Sequence, residues 1–165
     1  MIPDSVQKAL NDQINNELYS AYMYLSIAIY FDVYALTGFS KWMQQQAQEE
    51  LLHARRLLEF MADQDASIEL REIKAPQASF NSAIEALEVA LQAEQDNTEQ
   101  INDLYELAVK HQDHATEVMM QWFIQEQVEE ERSARTVLDR AKLAGDDKAA
   151  LLVLDGEMAK RDQVA

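Results

Sequence analysis

The sequence contains no cysteine, which excludes disulfides, thiolate metal sites and iron–sulfur clusters. Only three glycines (Gly38, Gly145, Gly156) and two prolines (Pro3, Pro76) interrupt its 165 residues. With so few breakers, stretches of roughly 25–30 residues run without interruption, a pattern of long helices rather than strands and turns. Basic residues are scarce too: 14 Lys and Arg against 30 Asp and Glu give a formal net charge of −16. That balance argues against a nucleic-acid partner. It suits plain solubility as well as a field that concentrates cations, and composition does not choose between the two. No window approaches about 18 unbroken apolar residues, so no membrane span is expected. The opening Met1-Ile2-Pro3-Asp4 lacks a basic n-region and an apolar h-region, so a cytoplasmic protein without a secretory signal is the default. The length suits a single domain, 1–165, with a sizeable core.

Hydrophobic periodicity predicts four long helices and a short fifth. The first runs from about Asp4 to Phe31, capped by Asp4 or Ser5, with the stripe Leu10, Ile14, Glu17, Ala21, Tyr24, Ala28. Gly38 is expected to mark the turn. The second helix carries Met43, Gln46, Glu50, His53, Leu57 and Phe60 on one face and fades near Asp63 to Asp65. Residues 66–80 hold Pro76 and no clean period, a connection long enough to need a reason. Extended, it reaches about 50 Å at roughly 3.3 Å per residue. A helix of the second one's size spans about 40 Å, so the connection can cross the whole bundle and set helix three parallel to helix two. Helix three follows the Ser79–Ser82 cap region with Ile84, Leu87, Leu91, Glu94, Thr98, Ile101, Tyr105 and Ala108. After a break near His111 to Asp113, helix four carries Met120, Phe123, Gln127, Glu130, Ala134, Val137 and Ala141 and ends at Gly145. Asp146 is expected to cap the short fifth helix, with Ala149, Leu152, Val153 and Met158 as its apolar face.

Each long stripe is apolar except at one level, where Glu17, Glu50 and His53, Glu94, and Gln127 and Glu130 fall in the seam itself. Charged residues belong on the solvent face of an amphipathic helix. Burying an unpaired carboxylate costs several kcal/mol, and four together add repulsion. No lysine or arginine shares these seams near that level. Two divalent cations would balance four carboxylates. The Glu50-Leu51-Leu52-His53 spacing puts an oxygen and a nitrogen ligand on one helical face. Combined with single glutamates on helices one and three, and an i, i+3 pair on helix four, it matches the arrangement of di-iron and di-manganese carboxylate bundles. Oxygen-rich ligation with one imidazole suits iron or manganese, though zinc also binds by affinity order.

The ligand set echoes within the chain. Shifted by 77 positions, Glu17 falls on Glu94, Glu50 on Gln127, His53 on Glu130 and Glu49 on Glu126. The halves otherwise share little beyond helical patterning.

On these residues the chain resembles the bacterial non-haem ferritins. The strings carrying the likeness are "NNELYSAYMYL" around Glu17, "QAQEELLHARRL" around Glu50 and His53, "QAEQDN" around Glu94 and "QWFIQEQVEEE" around Glu130. The resemblance implies an all-α, ferritin-like four-helix bundle with a long crossover between helices two and three and a short C-terminal helix. It implies a homo-oligomeric cage of twenty-four subunits that oxidises Fe(II) with O₂ or peroxide and stores ferric mineral. It implies two irons per subunit: one held by Glu17, Glu50 and His53, the other by Glu94 and Glu130, with Glu50 bridging and Gln127 nearby. A third iron position would use Glu49, Glu126, Glu129 and Glu130. Tyr24, two turns beyond Glu17, matches a tyrosine beside the family's ferroxidase centre, implying an electron donor or a hydrogen-bond partner. Glu117 aligns loosely with residues that line threefold pores in related cages.

The departures separate this chain from relatives. Bacterioferritins repeat Glu-x-x-His on helix four, where this chain has Gln127-x-x-Glu130. They place a haem methionine where it has Leu51, so haem is not expected. The rubrerythrins' cysteine-rich domain is absent. Trp122 is expected to pack, and His111 and His114 to be surface residues without partners. One rival is a di-iron or di-manganese oxidase or peroxidase that stores nothing; another is a non-catalytic cage.

Overall fold

The computed structural model describes residues 1–160, so the end of the expected domain lies outside the described residues. Five helices follow in order: α1 Asp4–Val33, α2 Thr37–Asp63, α3 Ala83–Lys110, α4 His114–Ala144 and α5 Lys148–Met158. Among the described residues there is no strand, and no helix is long and apolar enough to cross a membrane. Helices α1 and α2 pack as one antiparallel pair and α3 and α4 as the other, with α1 also against α3 and α5 against α2 and α4. This is the all-α four-helix bundle with a short fifth helix that the periodicity predicts.

The crossover runs parallel to α1 and is stitched to it at successive heights. Asn11 donates to Ser67 O and accepts from Glu69 N, Asp12 pairs with Arg71, and Lys74 lies over the Tyr19 ring. Farther along, Ser26 donates to Gln77 O, and Phe80 meets Tyr30 edge-on at 5.3 Å. The segment thus travels the length of α1, and α3 starts beside the end where α2 starts. Helices α2 and α3 are therefore parallel, as the reach of the loop allows. Ser82 then caps α3 by accepting from Glu85 N, while Glu85 accepts from Asn81 N.

The helix ends correct several expectations. Pro3, not Asp4 or Ser5, is the N-cap of α1 and makes no side-chain cap bond; the Ser5 hydroxyl instead meets His111 Nε2 at 3.0 Å. The turn after α1 is made by Ala35 at φ 59°, not by Gly38. Ala35 N reaches Asp32 O and Leu36 N reaches Phe31 O, a Schellman closure with alanine where glycine is usual. Asp65 and Gln112 close α2 and α3 the same way. Gly38 lies inside α2 and is needed for another reason: a Cβ there would sit 1.8 Å from the Asp155 carbonyl oxygen. Gly145 ends α4 as expected, at φ 55°. Asp147 rather than Asp146 caps α5, accepting from Ala149 N and Ala150 N. The face of α5 also differs. Ala149, Leu152 and Val153 are exposed, while Leu154, Asp155 and Met158 are buried, because Asp155 Oδ1 accepts from Phe39 N and fixes the rotation of the helix.

The core is divided. One apolar cluster includes Phe31, Phe39, Met43, Leu87, Val137 and Leu154; the other includes Leu10, Ile14, Leu57, Ile101, Met120 and Phe123. Each fully buried side chain of this size contributes about 1.5–3 kcal/mol. Between the clusters, at one level of the bundle, lie the polar seam residues.

Candidate metal centre

Helix α1 brings Glu17 and Tyr24 to that level, α2 brings Glu50 and His53, α3 Glu94, and α4 Gln127 and Glu130. Glu17, Tyr24, Glu50, Glu94 and Gln127 are 2% exposed or less, and His53 is 5% exposed, so these groups are not a solvated face. Glu17, Glu50 and Glu94 fall on the buried stripes of their helices, which directs these carboxylates inward.

Glu50 is the centre of the arrangement. Both of its oxygens are buried, and neither has a hydrogen-bond partner in the protein. His53 Nδ1 is likewise unpartnered, 3.6 Å from Glu50 Oε2 and 3.7 Å from Glu17 Oε2, too long for hydrogen bonds. Atoms bound to one cation at about 2.1 Å stand roughly 3–4 Å apart, so the spacing suits a shared ion. Ligand atoms of Glu17, Glu50 and His53 lie within 4.8 Å of one another, and so do those of His53, Glu126 and Glu130.

The electrostatics describe a layer in which carboxylates outnumber positive charge. Burial, reinforced by the charges of Glu17 and Glu94, raises the Glu50 carboxyl well above the usual range. Burial and the neighbouring Glu94 and Glu49 push Glu130 up to about 8. Burial raises Glu94 as well, opposed by hydrogen bonds from Tyr24 and Gln127. Burial opposes charge on His53, but Glu17 and Glu50 outweigh it and hold the imidazolium up to about 11. For Glu17 the His53 and Glu50 contacts overcome burial and lower the carboxyl. A proton on His53 and a cation between these groups compete for one nitrogen lone pair.

The remaining expected residues divide by position. Tyr24 donates to Glu94 Oε1, and its phenol is raised far above its usual range by burial and then by Glu94, Glu50 and Glu130, so it stays a donor. Gln127 Nε2 donates to Glu94 Oε2 at 3.2 Å and to Glu94 O, which leaves its own Oε1 buried and unpartnered. Glu94 is thus at the expected level with both carboxylate oxygens engaged by protein donors. Glu49 and Glu126 are half-buried beside Glu130; burial and the Glu126 charge raise Glu49. Glu129 is exposed and belongs to neither ligand group. Trp122 packs, as expected, with its ring edge-on to His53 at 5.5 Å and Arg56 4.0 Å over its face. His111 and His114 are exposed as expected but do have partners, Ser5 and Glu117.

Four side chains have supporting roles that the sequence reading did not assign, although Gln46 and Thr98 stand on its stripes. Gln13 donates to Glu17 Oε1 and to Asn97 Oδ1, both at 2.7 Å, and Asn97 Nδ2 reaches Glu17 Oε2 at 3.5 Å. Gln46 donates to Glu130 Oε2 at 2.8 Å. Thr98 accepts from Gln127 and donates to Glu131. A signal was present: Gln13 and Gln46 each stand one helical turn before a seam glutamate, and Asn97 one turn after another.

Comparison with known proteins agrees with this geometry. Residues 7–144 match the family described as "Ferritin: Ferritin-like domain". A "Bacterial non-heme ferritin" of Staphylococcus haemolyticus (strain JCSC1435) is 36% identical over 161 residues, covering 98% of this chain and 97% of that protein. Its counterpart in Staphylococcus aureus (strain USA300) is 35% identical over the same length and coverage. Among solved structures, an open pore ferritin from the hyperthermophilic archaeon Archaeoglobus fulgidus superposes with a TM-score of 0.96 at 42% identity, covering 98% of this chain and all of that one. A humanized archaeal ferritin gives 0.96 at 44% identity, covering 98% of this chain and 99% of that one. The chain belongs to the ferritin family.

Proposed function

We propose that this protein is a ferroxidase that oxidises Fe(II) at a dinuclear, carboxylate-bridged centre and stores the ferric product inside a homo-oligomeric cage of twenty-four chains. The observation that carries this reading is the Glu50 carboxylate, buried with both oxygens unpartnered beside Glu17 and His53 and within the field of Glu94. A carboxylate so placed is costly unless it takes up a proton or binds cations. Iron is here substrate and cargo. Glu17, Glu50 and His53 hold one Fe(II); Glu50, Glu94 and Glu130 hold the second, with Gln127 fixing Glu94. Each ion gives up one electron, and the pair delivers two to O₂ or peroxide. Carboxylates favour the more highly charged product electrostatically. The protein positions and tunes; the redox chemistry belongs to iron and oxidant.

Glu126 and Glu130, with Glu49 half-buried beside them, form the core of a third iron position on the α2–α4 edge, and the exposed Glu129 completes it from the solvent side. Tyr24 keeps Glu94 in place as a hydrogen-bond donor and lies close enough to supply an electron. Assembly is supported by an exposed apolar stripe on α1: Tyr22, Leu25, Ile29 and Val33 recur at helical spacing and are 43–75% exposed.

One experiment tests the whole reading: aerobic Fe(II) addition followed by particle mass. Oxidation faster than in buffer, with mineral retained by a particle of twenty-four chains, is expected. A discrete dimer that oxidises iron without retaining mineral would instead support the non-storage di-iron or di-manganese oxidase or peroxidase. No acceleration over buffer would remove the ferroxidase assignment.

A further inference from the structure

The two open edges of the polar layer differ in chemistry. The α2–α4 edge carries the carboxylates of Glu49 and Glu126. The α1–α3 edge, roofed by the crossover, opens into a cavity of about 410 Å³ whose wall includes the carboxamides of Asn15, Asn16 and Asn97. Asn97 is 3% exposed, and its Nδ2 stands 3.5 Å from Glu17 Oε2, the oxygen that faces His53. One side chain therefore separates this cavity from the metal ligands. Asn15 Oδ1 is buried and has no hydrogen-bond partner in the protein. At the mouth, Glu72 and Asp96 are exposed, and Lys74 is drawn over the Tyr19 ring at 4.7 Å.

We propose that this cavity is the vestibule through which hydrated Fe(II) reaches Glu17, with Asn97 as its inner wall. The inference rests on the ferroxidase reading of the same centre. A water occupies about 30 Å³, so the cavity holds on the order of ten waters, room for a cation with its hydration shell. Two carboxylates at the mouth raise the local cation concentration. Neutral amide oxygens inside replace water around a hard cation without holding it as carboxylates would. At the inner end the long contact from Asn97 Nδ2 to Glu17 Oε2 gives way as the ion reaches that oxygen, and Gln13, which donates to Glu17 Oε1, keeps the carboxylate aligned.

The absence of cysteine allows a reversible plug. Ala93 lines the cavity and makes no polar contact that the substitution Ala93→Cys would remove. Modification of this single thiol with a bulky neutral aromatic methanethiosulfonate fills the vestibule, and reduction with dithiothreitol reopens it, so each sample is its own folding control. Stopped-flow mixing with Fe(II) in air is expected to show the fast oxidation phase slowed about tenfold or more by the plug and restored on reopening. Co(II) association, followed by its optical spectrum, should slow in parallel with an unchanged final stoichiometry. Cobalt separates the two readings: slowed Co(II) arrival supports the vestibule even where iron is not oxidised, whereas unaltered Co(II) and Fe(II) kinetics overturn it and leave the ferroxidase intact. Protein loaded with Fe(II) anaerobically before plugging should oxidise at the open rate when O₂ is added; a slowed rate there makes the cavity an oxidant route and also overturns the proposal. In the double variant Glu72→Gln, Asp96→Asn, iron arrival should slow at low ionic strength and match wild type at high salt.

Discussion

Gly38 on α2 and Asp155 on α5 are in mutual backbone contact: the glycine's missing Cβ leaves the space that the Asp155 carbonyl fills, and the Asp155 carboxylate caps the α2 N-terminus at Phe39 N. The fifth helix is thereby locked to the bundle by a close approach and a charge-assisted hydrogen bond.

Gly38→Ala should therefore cost about 1–3 kcal/mol, the range for overpacking a tight contact. The loss should be local. Amide hydrogen exchange in α5 is expected to accelerate strongly, while α1 and α3 keep wild-type protection. Uniform acceleration across the bundle would show that α5 docking is not the point of failure.

Ala35 predicts a change of opposite sign. It holds a left-handed conformation at φ 59° on an exposed turn, which costs an L-residue about 1–2 kcal/mol. Ala35→Gly relieves that strain and adds chain entropy to the unfolded state, for a net gain of about 0.5–1 kcal/mol. Thermal unfolding of the metal-free protein measures it, and an unchanged or lowered midpoint would contradict it.

Much of the fold was legible in the sequence because its signals are periodic. Leu10 through Ala28 on α1, or Met120 through Ala141 on α4, specify a buried face by spacing alone, and the ligand level shows as the one interruption of that spacing. Gly38 was misread because glycine signals a turn and a close approach alike, and only the position of Asp155, more than a hundred residues away, decides which. The turn itself fell to Ala35, a residue with no turn signature. Leu152 and Val153 look like the apolar face of α5, but the rotation of so short a helix follows from its docking bond. The carboxamide cavity depends on how α1, α3 and the crossover meet, and no local pattern encodes that.

Glu94 and Glu126 should separate kinetically. Glu94→Ala removes a carboxylate of the buried layer and should slow the fast phase of Fe(II) oxidation by about 10²-fold, in the range for losing a group that stabilises developing charge. Glu126→Ala should leave the fast phase intact and alter turnover or iron stoichiometry. Tyr24→Phe, which deprives Glu94 Oε1 of its donor, should fall between them. Rapid-mix absorbance over successive iron additions distinguishes these outcomes; identical traces for Glu94→Ala, Glu126→Ala and wild type would sink the ligand assignment.

The metal-free protein should lose stability as pH rises. Glu130 moves from 4.5 to about 8 on folding, and Glu50 and Glu94 also rise, so the folded chain binds more protons than the unfolded chain across that window. His53 acts in the same direction: raised from 6.5 to about 11, its contribution is complete below the lower value and lost through the higher one. Glu17 has the opposite sign, but its lowered carboxyl acts only below the ordinary carboxylate range. The unfolding midpoint is expected to fall steadily from about pH 5 to about pH 8, with a shallower slope in Glu130→Gln. Saturating Mn(II) should raise the midpoint most at the alkaline end, where protons no longer neutralise the layer. A midpoint that climbs across this range would refute the account.

The stitching of the crossover to α1 makes that segment a ruler. Contacts at Asn11, Asp12, Tyr19, Ser26 and Tyr30 fix how much chain lies between the end of α2 and the first turn of α3. Helix α3 advances about 1.5 Å and turns about 100° per residue, so one residue too many would lift Glu94 from the level of Glu17 and swing it out of the seam. The distance between the two halves of the polar layer is thus measured off outside the bundle, along a strip remote from its carboxylates.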